Sequence, residues 1–229
     1  MSKRAVYSED CLIFLRELES NNNRQWFADN KQRYEDSVRE PSLQLIREID
    51  QRLKKISPFF PGLDRRVGGS LMRIHRDTRF SKEKTPYKTN VGIQFRHEVG
   101  KDVHAPGFYV HIEPARCFIG VGCWRPDSQT LHAIRGKIDE APASWKRARD
   151  NKAFRQHFRL DGESLKSAPR DFAKDHPLIE DLRRKDFVGM SDFNDEVVTQ
   201  NDFVDMIIER FRASKNLMRF LCEAIGVPF

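Results

Sequence analysis

The hydrophobic pattern of the chain changes from a helical period to a strand period near residue 70 and changes back after residue 124. Between these points apolar and polar residues alternate in short runs, which is the pattern of half-buried strands. The runs are 70–77, 91–97, 107–114 and 116–124. The last two are joined by a connection short enough to predict an antiparallel hairpin. Because this run of strands follows a run of helices, we expect an α+β fold whose central antiparallel sheet has about four or more strands over residues 70–124.

Helical patterns flank the predicted sheet on both sides. Before it, apolar stripes predict helices over 8–20, about 23–39, and from Pro41 to the turn at 57–62. After it, a short strand is predicted at 186–190, and the predicted helices are 128–140, 142–150, 176–185 and 199–225. No repeat or low-complexity linker divides the chain, so we expect one domain of 229 residues.

The charge balance of the chain indicates anionic partners. It has 41 Lys and Arg against 34 Asp and Glu, a net charge of +7, which favours nucleic acid, an anionic surface or a phosphorylated ligand. The start of the chain lacks the pattern of a signal peptide, and no apolar stretch approaches the length of a membrane-spanning helix, so we expect no membrane partner. The four cysteines lack the spacing of metal ligands, so we expect a reduced, cytoplasmic protein.

More than half of the net charge comes from one segment, RIHRDTRFSKEKTPYKTN (73–90), which has six Lys or Arg and two acids. In its strand-like beginning, alternation places Arg73, His75 and Asp77 on one face. A carboxylate beside an imidazole raises the pKa of the imidazole and can fix its tautomer, which is what a general base needs. We therefore name His75 and Asp77 as candidate catalytic residues. The alternative is that Asp77 holds a loop by pairing with one of three arginines: Arg73, Arg76 or Arg79.

The second half of the segment, 79–89, collects hydrogen-bond donors suited to phosphate or carboxylate oxygens. Pro86 forces an extended geometry on the residue before it, so we expect a loop of fixed shape rather than a helix. The loop contains no glycine and is not a P-loop. We predict that it binds an anion, the alternative being a solvated basic loop. The candidate ligand-binding residues of the whole segment are Arg73, Arg76, Arg79, Lys84, Tyr87 and Lys88.

A third feature is the run YVHIEP (109–114), in which Tyr109, His111 and Glu113 share one face. If this face meets the polar face of 70–77, one sheet surface gathers His111 and Glu113 as further catalytic candidates and Tyr109 as a further ligand-binding residue. His111 and Glu113 could also supply two metal ligands, with a third from the strand 70–77. Since many strands carry such pairs on a solvated face, we assign no metal and name no cofactor.

The segment RIHRDTRFSKEKTPYKT (73–89) resembles the signature of a widespread bacterial family, found within fungal proteins too, known as domain of unknown function 2461. Glu83 stands where the signature has Asp or Asn, which lengthens the side chain. Similarity extends along nearly the whole chain, including NNNRQWFADNKQRYE, PGFYVHIEP, GVGCWRP and HPLIEDLRRKDF. The resemblance implies a cytoplasmic single domain defined by the basic segment, and it implies no reaction and no catalytic residue. The matching positions are Arg73, Arg76, Asp77, Arg79, Phe80, Lys84 and Tyr87.

Three functions fit these features. The first is a small-molecule enzyme or binding protein whose ligand is phosphorylated or otherwise anionic. The second is a nucleic-acid-binding module that uses the same charge without sequence specificity. The third is a structural or interaction protein in which the basic segment is an internal ion-pair network. Because the charge is concentrated in one loop beside a carboxylate and two histidines, the sequence favours a pocket and the first function. It specifies neither a reaction nor an oligomeric state.

Overall fold

The structure is a computed structural model that describes residues 4–79, 84–99 and 105–229. Within these residues five strands form one antiparallel sheet in the order β1-β2-β3-β5-β4. Together with the helices around it, this sheet confirms the predicted α+β class. The strands are β1 Val91–Arg96, β2 Gly107–Ile112, β3 Cys117–Cys123, β4 Arg159–Asp161 and β5 Phe187–Phe193.

Helices precede and follow β1–β3, as the sequence predicts. From Lys31 to Leu53 the backbone is helical without a break, since a π-helical stretch, Glu35–Arg39, joins α3 to α4. A 3₁₀ turn covers Asp195–Thr199. The α-helices are α1 Glu9–Ser20, α2 Arg24–Asp29, α3 Lys31–Tyr34, α4 Glu40–Leu53, α5 Ser128–Glu140, α6 Pro142–Arg149, α7 Lys152–His157, α8 Ile179–Leu182, α9 Phe203–Ala213 and α10 Lys215–Ala224.

Several of the predicted helices are wrong in extent. The predicted boundary between a helix over 23–39 and one beginning at Pro41 is absent, because the helix from Lys31 continues to Leu53 and the break lies at Asn30 instead. The prediction 199–225 is two helices, because the Ser214 hydroxyl donates to the carbonyl oxygen of Phe211 at 2.9 Å and α9 ends there. The prediction 176–185 is a single turn of helix, α8. Just before α8, the backbone N–H of Leu178 donates to the ring Nδ1 of His176 at 3.0 Å instead of entering a longer helix. No helix within the described ranges is long and apolar enough to cross a membrane.

The predicted strand 70–77 is also wrong. The sheet begins at Val91, has three of its strands within the predicted range 70–124, and is completed by β4 and β5 from later in the chain. The segment 70–77 makes only isolated bridges, Leu71 to Ile93 and His75 to Tyr87. Beyond Met72 the chain leaves β1 and folds back on itself, with the backbone N–H of Arg76 donating to Pro86 and that of Lys88 donating to Ile74. Pro86 has no N–H to return a bond, so no regular ladder forms. We call residues 73–79 and 84–90 the basic hairpin.

The two faces of the sheet differ in what covers them. On the core face, Phe211 of α9 packs on Phe95 and Phe108, with ring centroids 6.0 and 4.6 Å apart. Strand register places Tyr109 and His111 on the opposite face, where Tyr109 is paired with Gln94 and Gly120. This second face, which we call the outer face, holds the polar residues of β2. Its residues on β1–β3 are Gly92, Gln94, Arg96, Gly107, Tyr109, His111, Phe118, Gly120 and Gly122.

We predict opposite effects for alanine at two glycines. Gly122 in β3 has φ of +118°, and a Cβ there would lie 2.1 Å from the carbonyl oxygen of Phe187 on β5. Gly122→Ala should lower the free energy of unfolding by about 3 kcal/mol or more, because strain and a backbone clash add. Gly136 in α5 has open space around it, so Gly136→Ala should raise stability by about 0.5–1 kcal/mol through helix propensity. Urea unfolding measures both changes, and a loss below about 1 kcal/mol for Gly122→Ala would contradict this register of β3 on β5.

Candidate functional site

The basic hairpin is attached to the N-terminal helices through one side-chain amide. Asn22, in the turn between α1 and α2, donates from Nδ2 to the carbonyl oxygen of Tyr87 at 3.0 Å, and its Oδ1 accepts the backbone N–H of Tyr87 at 3.0 Å. The ring of Tyr87 also stacks on Phe27 of α2, with centroids 4.1 Å apart and an interplanar angle of 20°. We call the paired hydrogen bonds the Asn22 clamp. They place a hairpin and a helical turn that are 65 residues apart in sequence side by side.

Short polar contacts also hold the two arms of the hairpin together. Arg76 donates from Nη1 to the hydroxyl of Thr85 at 2.7 Å. Lys84 donates from Nζ to the carbonyl oxygen of Thr78 at 2.9 Å. Both contacts join the arm before residue 80 to the arm after residue 83. The predicted loop positions 80–83 between these arms lie outside the described residues.

The structure does not bring Asp77 and His75 together as the predicted catalytic pair. Arg79 donates three hydrogen bonds to Asp77, from Nε to Oδ1 at 2.9 Å, from Nη2 to Oδ2 at 2.7 Å and from the backbone N–H to Oδ1 at 3.2 Å. These bonds lower the pKa of Asp77 to about 2. The ring of His75 instead contacts Tyr87 and Phe27, with centroid distances of 5.2 and 6.4 Å. Asp77 therefore forms an ion pair with Arg79, which is the alternative to a catalytic role that the sequence left open.

A groove of about 670 Å³ lies between the basic hairpin and the turn before α2. Three of the described residues that line it are cationic, Arg24, Arg76 and Lys84, and none of these lining residues is acidic. The guanidinium of Arg24 is exposed and has no ion pair or hydrogen bond with any residue the structure describes. The full described lining is Asn22, Asn23, Arg24, His75, Arg76, Thr78, Lys84, Pro86 and Tyr87.

Sequence reasoning missed the helical side of this groove. The run NNN at 21–23 was interpreted only as the end of the first helix, yet Asn22 forms the clamp and Asn23 caps α2 by accepting the backbone N–H of Trp26 at 2.9 Å. An Asn directly before a helical pattern is a capping signal that could have been used. The contact of Asn22 with Tyr87 leaves no local signal in the sequence.

Tyr109, His111 and Glu113 form a hydrogen-bonded chain on the outer face. The Tyr109 hydroxyl lies 2.9 Å from Nδ1 of His111, and Nε2 of His111 lies 3.2 Å from Oε2 of Glu113. We call these three residues the His111 network. The end of the hairpin reaches it, because the Thr89 hydroxyl donates to Oε1 of Glu113 at 3.3 Å and the Asn90 amide lies 3.5 Å from Nδ1 of His111. The network and the hairpin are therefore in contact, although the network does not line the groove.

The hydrogen bonds of the network assign its protons. A carboxylate only accepts, so His111 carries its proton on Nε2 and its Nδ1 accepts from the Tyr109 hydroxyl. Burial lowers the pKa of His111, with Glu113 acting in the opposite direction. Burial also raises the pKa of Tyr109 to about 12. Both side chains are thus neutral at pH 7, and the basic nitrogen of His111 is already occupied by Tyr109.

Arg73 and Lys88, the two remaining cationic candidates, lie at the base of the hairpin outside the groove lining. The backbone N–H of Lys88 donates to Ile74 at 2.8 Å, which sets Lys88 opposite Ile74, the residue that follows Arg73. Lys88 is half-buried and Arg73 is exposed. Across the described residues, no group of three or more His, Cys, Asp or Glu side chains is placed to hold a metal ion.

The lowered pKa of His111 predicts a pH dependence of stability. The unfolded chain takes up a proton on this residue near the ordinary histidine pKa of 6.5, whereas the folded protein does so only at lower pH. The stability contribution is therefore complete above about pH 6.5 and is lost as the pH falls through the folded pKa. His111→Gln should flatten the fall in unfolding free energy between pH 7.5 and 5, and His132→Gln, which removes an exposed imidazole of α5, should leave the wild-type slope. Equal slopes in the wild type and His111→Gln, measured by urea unfolding, would contradict a buried neutral His111.

The comparisons with known proteins identify a family but no characterised relative. The family model described as conserved hypothetical protein DUF2461 matches residues 10–220. This range includes the groove, the basic hairpin and the His111 network. Comparisons with curated proteins and with solved structures found no match. The resemblance seen in the sequence is confirmed by the family model, and the chain belongs to the DUF2461 family of conserved hypothetical proteins.

Proposed function

We propose that this protein binds a phosphorylated or otherwise anionic small molecule in the groove between the basic hairpin and the turn before α2. The observation that carries this proposal is the charge of the groove, in which Arg24, Arg76 and Lys84 converge and no described lining residue is acidic. Guanidinium and ammonium groups donate charge-assisted hydrogen bonds to phosphate and carboxylate oxygens. The cations come from two separate parts of the chain, so the fold itself brings them together.

Arg24 and Lys84 keep donors available for a ligand. An ammonium group has three N–H donors and a guanidinium has five. The described contact of Lys84 is to one backbone carbonyl, that of Thr78, which neutralises none of its charge. Arg24 has no described protein partner. An anion in the groove would meet the positive charge of Arg24 and Lys84, which no described lining residue compensates.

The groove is held in shape before a ligand arrives. The Asn22 clamp and the Arg76–Thr85 hydrogen bond fix the hairpin arms relative to α2. A site that is ordered in advance avoids the entropy cost of arranging its side chains on binding. The size also suits a small molecule, since ligand pockets typically have volumes of about 300–1,000 Å³. These features support a pocket more than a strip for a long polyanion.

For chemistry on a bound ligand, His75 is our candidate acid–base residue. Histidine is the side chain that exchanges protons most readily near neutral pH, and His75 lines the groove. Asp77 is engaged by Arg79 and the His111 network lies outside the groove lining, so we assign them supporting roles. We also propose a cytosolic location, supported by four free and buried cysteines.

The proposal predicts that removing a groove cation weakens anion binding. Titration calorimetry with inorganic phosphate, fructose 6-phosphate and AMP should detect binding of at least one of them to the wild type. Arg24→Gln and Lys84→Met should each weaken that affinity by at least about tenfold, because each loses a charge-assisted hydrogen bond worth about 1.5–3 kcal/mol. Lys146→Met, which removes an exposed charge from α6, serves as the matched control and should change nothing.

Two outcomes would contradict the proposal. One is that none of the phosphate compounds binds the wild type. The other is that binding occurs but is the same in Arg24→Gln, Lys84→Met and Lys146→Met. Binding restricted to a single-stranded oligonucleotide, with affinity falling steeply as salt rises, would instead support the nucleic-acid alternative.

A further inference from the structure

Two neighbouring cations at the base of the basic hairpin, Arg73 and Lys88, form no ion pair with any described residue. The hydrogen bond from the backbone N–H of Lys88 to Ile74, 2.8 Å long, sets Lys88 opposite Ile74, the residue that follows Arg73. Neither side chain forms an ion pair or a hydrogen bond with any residue in 4–79, 84–99 or 105–229. Lys88 is also half-buried, so solvent screens its charge only in part.

The carboxylates of adjoining segments form no ion pair with Arg73 or Lys88. The charge of Arg73 contributes to the lowered pKa of Asp77, but both oxygens of Asp77 are bound by Arg79. Glu113 accepts from the Thr89 hydroxyl and from His111, and it lies 3.7 Å from the guanidinium of Arg116. Burial and the charge of Arg73 both lower the pKa of Lys88, which is the response of a cation that lacks a compensating anion.

A half-buried cation beside a second cation is unfavourable unless an anion joins them. Proteins normally pair or expose such charges, so an unpaired pair on a segment that already forms a basic groove points to a ligand. Arg73 and Lys88 also lie close to the groove in the chain. Lys88 directly follows Tyr87, and Arg73 lies two residues before His75, both of which line the groove. At about 3.3 Å per extended residue, the pair lies within roughly 10 Å of the groove.

We propose that Arg73 and Lys88 form a second anion subsite, and that the ligand of the groove carries two separated anionic groups. This inference rests on the proposed function, because the first anionic group occupies the groove. The chemical class is a compact dianionic metabolite, such as a sugar bisphosphate or a phosphorylated carboxylic acid, whose anionic groups are one small carbon skeleton apart. The groove cations hold one group and the Arg73–Lys88 pair holds the other.

The test compares ligands that differ by one phosphate. Titration calorimetry is carried out with fructose 6-phosphate against fructose 1,6-bisphosphate, and with AMP against adenosine 3′,5′-bisphosphate. For the wild type, at least one bisphosphate should bind about tenfold more tightly than its monophosphate, which is the gain from one additional charge-assisted contact. Lys88→Met should abolish this advantage and leave the monophosphate affinity unchanged. Lys84→Met should weaken the binding of both the monophosphate and the bisphosphate, and Lys146→Met should weaken the binding of neither.

Thermal unfolding without ligand gives a second readout. Because Lys88 has no described partner, Lys88→Met should melt at the same temperature as the wild type or higher. A lower melting temperature would reveal a protein partner for Lys88 and overturn the subsite.

The two proposals fail in different ways. The second subsite is overturned if a monophosphate binds in a Lys84-dependent manner but no bisphosphate binds more tightly than its monophosphate. It is also overturned if the tighter binding of a bisphosphate survives Lys88→Met. In both cases the proposed anion site in the groove still stands. If no phosphate compound binds, the proposed function fails and the subsite fails with it. If only oligonucleotides bound with the additional affinity, the proposal that the ligand is a small dianionic molecule would be overturned.

Discussion

The side-chain amide of Asn22 is the contact on which the candidate site depends. It hydrogen-bonds both backbone groups of Tyr87, as a neighbouring strand would, at a point where Pro86 prevents a regular ladder. Two hydrogen bonds contribute about 1 kcal/mol each, and the stacking of Phe27 on Tyr87 adds about 0.5–1.5 kcal/mol. The sum is comparable with the entropy cost of ordering two or three residues, at about 1–2 kcal/mol each. The clamp therefore orders the centre of the hairpin, and contacts within the hairpin must order the rest.

Because of the position of the clamp, the basic hairpin contacts both the groove and the outer face of the sheet. On one side of Tyr87 the hairpin presents His75, Arg76 and Lys84 to the groove, opposite Arg24. On the other side its last residues, Thr89 and Asn90, reach the His111 network on the outer face of the sheet. The buried, neutral His111 is held between Tyr109 and Glu113 and is stacked on Phe118 at 4.5 Å. The network thus acts as a rigid support for the end of the hairpin that leads into β1.

The sequence predicted the elements whose signals are local and missed those that depend on distant partners. Strict alternation identified β1, β2 and β3 to within two residues and placed Tyr109, His111 and Glu113 on one face, because strand period and burial coincide there. The same alternation in 70–77 was misleading, since Pro86 removes a donor from the arm that pairs with it. Asn22 and Arg24 could not be assigned to the groove from the sequence, because a contact across 65 residues has no spacing rule. The ion pair of Asp77 with Arg79 was one of the alternatives that sequence reasoning left open, and only the side-chain geometry selects it.

Amide hydrogen exchange tests most directly whether the clamp orders the hairpin. The backbone N–H groups of Arg76 and Lys88 donate across the hairpin, whereas that of Met72 donates to Gly92 at the edge of the sheet. In Asn22→Ala the amides of Arg76, Tyr87 and Lys88 should exchange at least about tenfold faster, and that of Met72 should keep its protection. Asn21→Ala, which removes a hydrogen bond to Glu17 within α1, should leave all of these rates unchanged. Unchanged protection of the hairpin amides in Asn22→Ala would show that the hairpin is ordered without the clamp, and would contradict this account of the site.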